Sequence, residues 1–562
     1  MRYLRRLLAG LLVAAAALLL AEGVLRVVGV AAMEPFFVEH VDLDGRVWLA
    51  SNPQVGDNWF RSDDWEDLVR RPRPEWFLRD KPAGGFRALV LGESSAYGMP
   101  LNDNATWVRQ LEHQLVASQD SRPVEVINLG LRAVTASVYQ DVLPELLALE
   151  PDVVVLYAGH NEFYGVRPVG FPGNTAIWRL IEDSLRKDPI VTVTAERVGL
   201  RADDAIPSGG AHEQAALARF THDLDLLVRE LDGVPLLVYV VHGNERHLAP
   251  LCSQAPDADR ATIDRADTLL WAVARAPHTA SGPDCDLALL GSAPGHAGLD
   301  YAAGWCALNA GDRESSHQAF AKALDEDCVP VRARSSIREL LLGLPERHPD
   351  APVWVVDPED ALRAASPEGV LGQELFYDHV HLTIEGSWVT AREGARELAR
   401  HASTLGLPIR EDLLPSYQAT RQALHITPMD EWLSLDQMKH YYQVSVIRSV
   451  ASRDWSLAVM GERQAALWQE MDSTEQAVIN EWMWDPDEFH LAVAAKFALV
   501  GDKLGELDAV RAAVAAHPES GPLRRELALR LADAGATEEA REQAILAVLH
   551  NVAEEDVEGL LR

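Results

Sequence analysis

Short runs rich in Val, Leu and Ile alternate with helix-like stretches through the middle of this 562-residue chain. Apolar runs of four to eight residues predict strands that are buried on both faces, and such strands belong to parallel sheets covered by helices. The sequence therefore predicts an α/β fold with a parallel central sheet between two helical layers. The predicted strands lie in RALVLG (87–92), VEVINLG (124–130), DVVVLYAG (152–159), PLLVYVVHG (235–243) and VWVVD (353–357).

Two other parts of the chain have a purely helical pattern. The stretch from Asp300 to Asp327 contains two helical patterns joined at Gly311-Asp312 and resembles a tetratricopeptide repeat. After about residue 405 the pattern is wholly helical, and Gly501 and Gly535 lie 34 residues apart (535 − 501), which is the tetratricopeptide period. A pair of unrelated Ala-rich hairpins is the alternative. We therefore expect helical repeats, which commonly bind a protein partner.

These patterns divide the chain into six segments. We expect a membrane anchor or signal segment, a lead-in of loop and linker that includes RRPRPEW, a first part of the α/β domain, a helical insertion, a second part of the α/β domain, and a tetratricopeptide-like region. Their boundaries are 1–33, 34–85, 86–250, 251–330, 331–405 and 406–562.

The N-terminal segment has the pattern of an export or anchoring sequence. Three arginines precede an uncharged run from Leu7 to Ala21, which is short for a membrane span of roughly 20 residues. Counting onward to Met33, through a Glu22/Arg26 pair one helical turn apart, makes the segment long enough. We favour an uncleaved membrane anchor over a cleaved signal peptide. Either interpretation places the bulk of the chain outside the cytoplasmic membrane, in the periplasm or at the cell surface.

Charge and cysteine content limit the partners and the compartment. A formal net charge of −34 repels phosphate backbones, so we expect no nucleic-acid partner. The four cysteines all fall within one segment, as expected for two disulfides in an exported protein, although three pairings and four free thiols remain open. They are Cys252, Cys285, Cys306 and Cys328.

Two adjacent hydroxyls follow the first predicted strand of the sheet, in FRALVLGESSAYG. Residues just past a strand lie at the edge of a parallel sheet where ligands bind. Ser94 there could attack a carbonyl while its own backbone N–H stabilises the oxyanion. In the alternative interpretation, Ser94 or Ser95 only caps a helix.

Three further stretches favour the catalytic interpretation. VINLGLRAV ends a second strand at Asn128 to Gly130, and YAGHNEFYG places Asn161 at the end of a third strand. In FYDHVHLTIEGS, Asp378 and His381 are three residues apart. A carboxylate in that position can accept the imidazole Nδ1–H and leave Nε2 free to take a proton from serine.

The order of these stretches resembles the four sequence blocks of the SGNH (GDSL-like) hydrolases. The matching residues are GES at 92–94, the turn at 128–130, GHNE at 159–162 and DHVH at 378–381. The resemblance covers about 86–250 and 331–402. It implies a flavodoxin-like three-layer fold in which Ser94 is the nucleophile, His381 the general base and Asp378 the residue that orients it. It also implies that Asn161 donates a hydrogen bond to the oxyanion and that Ser95 supports the helix start.

The chain departs from the family pattern at three positions. Glu93 and Glu162 stand where Asp is commoner, and both keep the charge. In the second block, the glycine whose N–H normally contributes to the oxyanion site corresponds to Ala133, and Gly130 is the nearest glycine. The backbone N–H of the alanine can still donate to the oxyanion if φ of the alanine is negative.

Two secondary sites follow from the same comparison. VVHGNERHLAP resembles a wall of the substrate cleft in anchored, repeat-bearing members, so Asn244 and Arg246, with Gly130, are candidates for substrate binding. A surface loop with an Asx turn is the alternative. His160 and His379, together with His381 and Glu162, could suggest a metal site. We expect no metal, because the His-x-His spacing at 379–381 has no clear third ligand. Acyl transfer of this kind needs no cofactor.

A site of this kind performs acyl transfer, in which an acyl-serine is resolved by a second nucleophile. We predict a serine esterase acting on an ester or acyl-sugar substrate. An O-acyltransferase on cell-envelope polysaccharide would use the same residues. A non-catalytic repeat scaffold that binds a protein partner is the alternative of a different class, and it would need no complete Ser/His/Asp set.

Overall fold

The computed structural model describes residues 2–27, 33–60, 71–166, 205–281, 285, 292–481 and 489–561. Its described strands form two separate sheets. The antiparallel sheet contains β1 (Phe37–Val41), β2 (Val47–Ser51) and β3 (Trp76–Leu78). The parallel sheet contains β4 (Phe86–Gly92), β5 (Val124–Asn128), β6 (Val153–Tyr157), β7 (Leu236–Tyr239) and β8 (Val353–Val356).

The parallel sheet confirms the predicted α/β class. Its strands run in the order β5-β4-β6-β7-β8, and every neighbouring pair is parallel. Counted along the chain this is the order 2-1-3-4-5 of flavodoxin-like sheets, in which ligands bind beyond the carboxyl ends near the switch between the first and third strands. Here the switch lies between β4 and β6, where Gly92 is in register with Tyr157. The sheet order therefore directs attention to the residues after β4 and β6.

Helices account for most of the remaining described chain. The helix Trp107–Ala117 begins after Thr106, whose side chain accepts a hydrogen bond from the Arg109 N–H. In the α/β domain the helices are Ser94–Tyr97, Trp107–Ala117, Val138–Leu147, Ala211–Glu230, Ser335–Leu342, Leu344–Arg347, Glu359–Ala365, Ile384–Arg400 and Ala402–Leu405. In the insertion they are Arg260–Arg275, Ala297–Asn309 and Arg313–Glu326.

The C-terminal region is helical throughout its described residues, as predicted. Its helices are Tyr417–Ala423, Pro428–Val444, Arg453–Glu470, Ser473–Glu481, Phe489–Val500, Lys503–Ala516, Gly521–Asp533, Thr537–Leu549 and Glu558–Leu561. Three hairpins, one of them in the insertion, turn at a glycine with a left-handed backbone, at Gly311, Gly501 and Gly535. The C-terminal helices and those of the insertion share one hydrophobic core, distinct from the core around the parallel sheet. The helical hairpins are present, whereas their identity as tetratricopeptide repeats stays a prediction.

The lead-in at 34–85 differs from the loop and linker that the sequence predicted, because it contains the antiparallel sheet. The turn between β1 and β2 is built around Asp42, whose Oδ1 accepts hydrogen bonds from the N–H groups of Asp44 and Arg46. Phe77 on β3 is buried in the core of the parallel sheet. The Asp-Gly pair at 44–45 between two apolar runs was a hairpin signal. Residues 61–70, with the first arginine of RRPRPEW, lie outside the described residues.

The outer edge of β5 is covered by side chains. The Val126 N–H donates to Glu112 Oε1 at 3.0 Å, and the Asn128 N–H donates to Glu75 Oε1 at 3.1 Å. The Arg109 guanidinium in turn donates to the Val126 carbonyl at 2.8 Å. These contacts satisfy backbone groups that an edge strand would otherwise expose.

The four cysteines form two disulfides, as the exported class predicted. Cys252 is bonded to Cys328, and Cys285 is bonded to Cys306. The first bond joins the two ends of the helical insertion. The second bond lies within the insertion, although residues 282–284 and 286–291 around Cys285 lie outside the described residues.

The N-terminal helix spans Arg2–Val27. None of the helices in the described part of the chain combines the length and the apolar composition that a membrane crossing requires. The predicted membrane-spanning helix is therefore not confirmed. Residues 28–32 of the predicted segment lie outside the described residues.

Candidate active site

The nucleophile turn follows β4 without a linker. Gly92 ends the strand, and a Cβ at this position would lie 2.2 Å from the Tyr157 carbonyl oxygen, so only glycine lets β4 approach β6 this closely. Glu93 is extended, and a single helical turn then runs from Ser94 to Tyr97. Ser94 itself is only half-buried. The hydroxyl is thereby presented at the carboxyl edge of the sheet, next to the switch point.

Ser94, His381 and Asp378 are joined by hydrogen bonds. Ser94 Oγ lies 2.8 Å from His381 Nε2, and His381 Nδ1 lies 2.6 Å from Asp378 Oδ2. Asp378 is fully buried and His381 is 3% exposed. The structure thus brings together the three residues that were predicted from stretches almost 290 positions apart.

The charge of Asp378 determines which nitrogen of His381 carries the proton. Burial raises the pKa of Asp378, but the imidazoles of His379 and His381 outweigh burial and hold the pKa well below its usual range. Its second oxygen also accepts the Val380 and His381 N–H groups, both at 2.9 Å. An ionised carboxylate only accepts, so His381 Nδ1 carries the proton and Nε2 is left to accept from Ser94.

Glu93 fixes the turn after β6 to the nucleophile turn. Its carboxylate accepts the N–H groups of Gly159, His160 and Asn161 at 2.9, 3.1 and 3.1 Å. Burial raises the pKa of Glu93 to about 7, and the three backbone hydrogen bonds only partly oppose that rise. The acidic residue in GES therefore positions the Asn161 loop rather than meeting solvent.

The predicted oxyanion donors lie on three separate loops. Within the described residues, the backbone N–H groups of Ser94 and Ala133 have no acceptor. Ala133 has φ of +57°, so the condition of a negative φ stated for a donor at this position is not met. The Asn161 side-chain N–H₂ donates to the Val134 carbonyl at 3.1 Å, which uses one of its two hydrogens. Each candidate therefore keeps a hydrogen available for an oxyanion.

Gly130 serves close packing and not the predicted substrate contact. A Cβ on Gly130 would lie 2.3 Å from the Tyr97 backbone nitrogen. Its N–H donates to Asn128 Oδ1 at 2.9 Å. The adjoining Leu131 N–H donates to the Gly92 carbonyl at 3.0 Å. The loop at 128–133 is therefore pressed directly against the nucleophile turn.

Ser95 has a different role from the predicted support of the helix start. Its Oγ donates to the Val380 carbonyl at 3.0 Å, and its own carbonyl accepts from Trp107 Nε1 at 3.0 Å. Ser95 is buried. This residue ties the nucleophile turn to the loop that carries His381.

Asn244 and Arg246 make internal contacts in place of the predicted contacts with substrate. The Asn244 side chain is fully buried; it donates to the Asp378 carbonyl at 2.9 Å and accepts the His247 N–H at 2.8 Å. Arg246 is ion-paired with Glu368, and with Glu374 at 2.7 Å. Asn244 thus supports the Asp378 backbone, and Arg246 braces the same loop region.

The groups that could hold a metal in the described residues are engaged with one another. Asp378, His379 and His381 bring donor atoms together, as do His242, Asp357 and Glu359. In the first group Asp378 and His381 share the hydrogen bond described above. His160, considered beside them in the sequence, instead accepts the Ala333 N–H through Nδ1 at 3.1 Å.

Sequence reasoning missed a contact from the C-terminal region. Tyr441, on the helix Pro428–Val444, lies near both histidines of DHVH: its ring centroid is 6.5 Å from that of His379 and 6.1 Å from that of His381. His379 Nδ1 also lies 3.2 Å from Asp378 Oδ2. Nothing in the sequence around Tyr441 marks it, because the contact joins two elements about 60 residues apart.

Comparisons with known proteins do not identify a family. No family model matches the chain, and no curated protein matches it. Among solved structures, an acetylxylan esterase from Geobacillus stearothermophilus aligns with 13% identity and a TM-score of 0.26, over 56% of this chain and 94% of its own. An α/β hydrolase from the metagenome of Lake Arreo, Spain, aligns with 12% identity and a TM-score of 0.27, over 58% and 98%. Scores this low do not establish a shared function.

Proposed function

We propose that this protein is a serine esterase of the SGNH type that hydrolyses acyl or acetyl ester bonds. The observation that supports it best is the continuous hydrogen-bonded chain from Ser94 Oγ through the His381 ring to Asp378, with distances of 2.8 and 2.6 Å. A half-exposed serine that donates to a buried imidazole, itself held by an ionised carboxylate, is the arrangement that nucleophilic catalysis requires.

The acylation step follows from these contacts. Ser94 Oγ attacks the ester carbonyl carbon while His381 Nε2 takes the hydroxyl proton, and the imidazolium that forms is stabilised by Asp378. The oxyanion accepts hydrogen bonds from the Ser94 and Ala133 N–H groups and the Asn161 side chain. The tetrahedral intermediate then breaks its bond to the alcohol oxygen, which receives the proton from His381, and acyl-Ser94 remains.

Deacylation repeats these proton transfers with a second nucleophile. Water attacks acyl-Ser94 while His381 takes its proton, and the proton returns to Ser94 Oγ as the carboxylic acid leaves. If a sugar hydroxyl replaces water, the product is a new ester, and the protein is an O-acyltransferase on cell-envelope polysaccharide. The same residues serve both reactions.

Two features of the chain support a cellular location for the protein. The basic N-terminal flank and the disulfides support a location outside the cytoplasmic membrane, in the periplasm or at the cell surface, with secretion after cleavage as the alternative. The helical hairpins, proposed as tetratricopeptide-like, would bind a protein partner of the enzyme. A non-catalytic scaffold would retain the hairpins and show no reactive serine.

The test is covalent labelling of the full chain with a neutral fluorophosphonate probe. Wild type, Ser94→Ala, His381→Ala and Ser95→Ala are compared, with circular dichroism to establish folding. We expect labelling of wild type, none of Ser94→Ala, and a loss of at least about a hundredfold in rate for His381→Ala. Ser95→Ala should label at a reduced rate, because only its tie to Val380 is lost. A folded wild type that does not label would favour the scaffold.

A further inference from the structure

Arg132 lies beside the nucleophile turn, and no carboxylate among the described residues is paired with it. Its guanidinium carbon is 4.4 Å from the centroid of the Tyr97 ring, and one of its terminal nitrogens makes a long contact of 3.5 Å with the Tyr97 hydroxyl. Its Nε is buried and has no hydrogen-bond partner. Within the described residues no ion pair involves Arg132, so most of its five N–H donors have no acceptor.

Arg132 is connected to the nucleophile turn through Tyr97. Tyr97 is three residues after Ser94 in one helical turn, a spacing that puts two side chains on the same side of a helix. Arg132 also directly precedes Ala133, a candidate oxyanion donor. The packing of Gly130 on the Tyr97 backbone holds this loop against the turn. Arg132 therefore flanks the space in front of Ser94.

Three other arginines of the same domain are paired with carboxylates. Arg109 pairs with Asp103 at 2.7 Å, and Arg87 pairs with Glu125 at 2.8 Å. Arg73, which lies over the same Tyr97 ring at 5.1 Å, pairs with Asp103 at 3.1 Å. In a chain of net charge −34 carboxylates are abundant, and still none in the described part of the chain pairs with Arg132. The unused guanidinium therefore points to an anion that arrives with the ligand.

The positive charge of Arg132 affects the pKa of Tyr97. Burial raises the pKa of the Tyr97 phenol, but Arg132 and Arg73 more than offset burial, so the pKa is lowered. A guanidinium over an aromatic ring keeps N–H donors available for a planar acceptor. Arginine in this arrangement binds carboxylate or phosphate oxygens in pairs.

We propose that Arg132 binds an anionic group of the substrate, so that the site selects acidic esters over neutral ones. This inference rests on the proposed esterase function. The anion is a carboxylate or a phosphate carried by the same molecule as the scissile ester, as in an acetylated uronic acid or an acetylated sugar phosphate. The contact raises kcat/KM for the acidic ester and adds no step to the chemistry at Ser94.

The test compares three acetylated methyl glycosides that differ only at carbon 6: a glucoside, a glucuronide and a glucoside 6-phosphate. In wild type we expect kcat/KM for at least one acidic ester to exceed that for the neutral ester about tenfold or more. Arg132→Gln should reduce that ratio to about one, because it lowers kcat/KM for the acidic esters more than for the neutral ester. Arg132→Lys should keep part of the preference. Which acidic ester is preferred distinguishes carboxylate from phosphate.

The matched control is Arg219→Gln, which makes the same charge change at an exposed position of the same domain and should keep the full preference. Equal kcat/KM for all three esters in wild type, or an equal loss for all three in Arg132→Gln, would overturn the proposal. A second readout uses wild type alone and therefore does not depend on the folding of a variant. Methyl glucuronide or methyl glucoside 6-phosphate should protect wild type from labelling more strongly than methyl glucoside does. Failed labelling by the neutral probe overturns both proposals, whereas labelling without a charge preference overturns only this one.

Discussion

The ring of Tyr441 stands edge-on to the ring of His381, with an interplanar angle of 88° and 6.1 Å between centroids. The same ring is nearly parallel to that of His379, at 4°. A helix of the C-terminal region therefore contacts the proposed general base, and this region belongs to the environment of the site. Aromatic contacts of this kind hold a ring in one orientation.

Replacing Tyr441 should therefore impair catalysis more than stability. We expect Tyr441→Ala to lower the rate of fluorophosphonate labelling about tenfold, since one aromatic contact contributes about 0.5–1.5 kcal/mol. Tyr441→Phe keeps the ring and should label at nearly the wild-type rate. Labelling rates of the two variants at equal folded fraction provide the measurement. A large loss in Tyr441→Phe would assign the effect to the hydroxyl.

Ala133 should tolerate glycine better than valine. Its φ of +57° is left-handed, which costs a residue with a Cβ about 1–2 kcal/mol. Glycine removes that cost and adds about 0.4–1 kcal/mol of unfolded-chain entropy. We therefore expect Ala133→Gly to raise the free energy of unfolding by about 0.5 kcal/mol. Ala133→Val should lower it, and denaturant titration would detect both. A stabilised Ala133→Val would contradict the left-handed geometry.

The contribution of Glu93 to the stability of the fold should fall as pH rises from about 4.5 to about 7. The pKa of Glu93 is raised to about 7 from 4.5, so the folded state binds more protons than the unfolded state in that window. At about 1.4 kcal/mol per pKa unit, the full loss above pH 7 is about 3 kcal/mol. Burial also raises the pKa of Glu75 to about 7, which adds to the same slope.

Glu93→Gln tests the contribution of Glu93 to that slope. The variant has no proton to release at this position, so its free energy of unfolding should vary less between pH 5 and pH 8 than that of wild type. Glu462→Gln, at an exposed position, should keep the wild-type slope. Denaturant titrations at four pH values would suffice. Parallel curves for wild type and Glu93→Gln would show that Glu93 titrates normally.

The two disulfides should contribute unequally. Cys252–Cys328 closes a separation of 76 residues and Cys285–Cys306 one of 21. On the loop-entropy account, their removal costs about 4.5 and about 3.4 kcal/mol. We expect the Cys252→Ala/Cys328→Ala pair to lower the thermal midpoint more than the Cys285→Ala/Cys306→Ala pair. The reverse order would mean that local contacts outweigh loop length.

The packing of Gly130 on the nucleophile turn predicts a strong effect from one methyl group. Gly130→Ala forces two backbone segments apart, because its Cβ would lie 2.3 Å from the Tyr97 nitrogen. A loss of about 1–3 kcal/mol is expected, together with a slower reaction at Ser94. Gly461→Ala is the control, since no other atom lies within 4 Å of its Cβ and the helix should gain about 1 kcal/mol. The free energy of unfolding and the labelling rate, measured for both variants, would show whether only Gly130→Ala impairs the protein.

The parallel sheet and the triad were predictable because each depends on a local pattern. Four or five apolar residues in a row predict β4 and β6, and the residue after each strand must reach the same edge of the sheet. Ser94 and Asn161 could therefore be assigned to one edge of the sheet, whereas the resemblance to the SGNH hydrolases implied that Asp378 and His381 belong to the same site. The disulfides followed from number and location, although their pairing did not.

What the sequence did not predict depends on packing between distant segments. Ser95 was expected to support a helix, but its partner is the Val380 carbonyl, 285 residues away. Asn244 was expected at the substrate, and the Asp378 backbone takes its amide instead. The strands of the lead-in were hidden by their short length and by the charged residues between them. For Ser95 and Asn244 a long-range partner decides the role, and no spacing along the chain encodes it.

The carboxylates that cover the outer edge of β5 have a consequence beyond this one molecule. The backbone groups of Val126 and Asn128 are already bonded to side chains of the same chain. A strand from a neighbouring copy would have to displace the Glu75, Glu112 and Arg109 side chains together before it could extend the sheet. Even when many copies are crowded onto one surface, their parallel sheets should therefore not pair through β5 into a continuous intermolecular sheet.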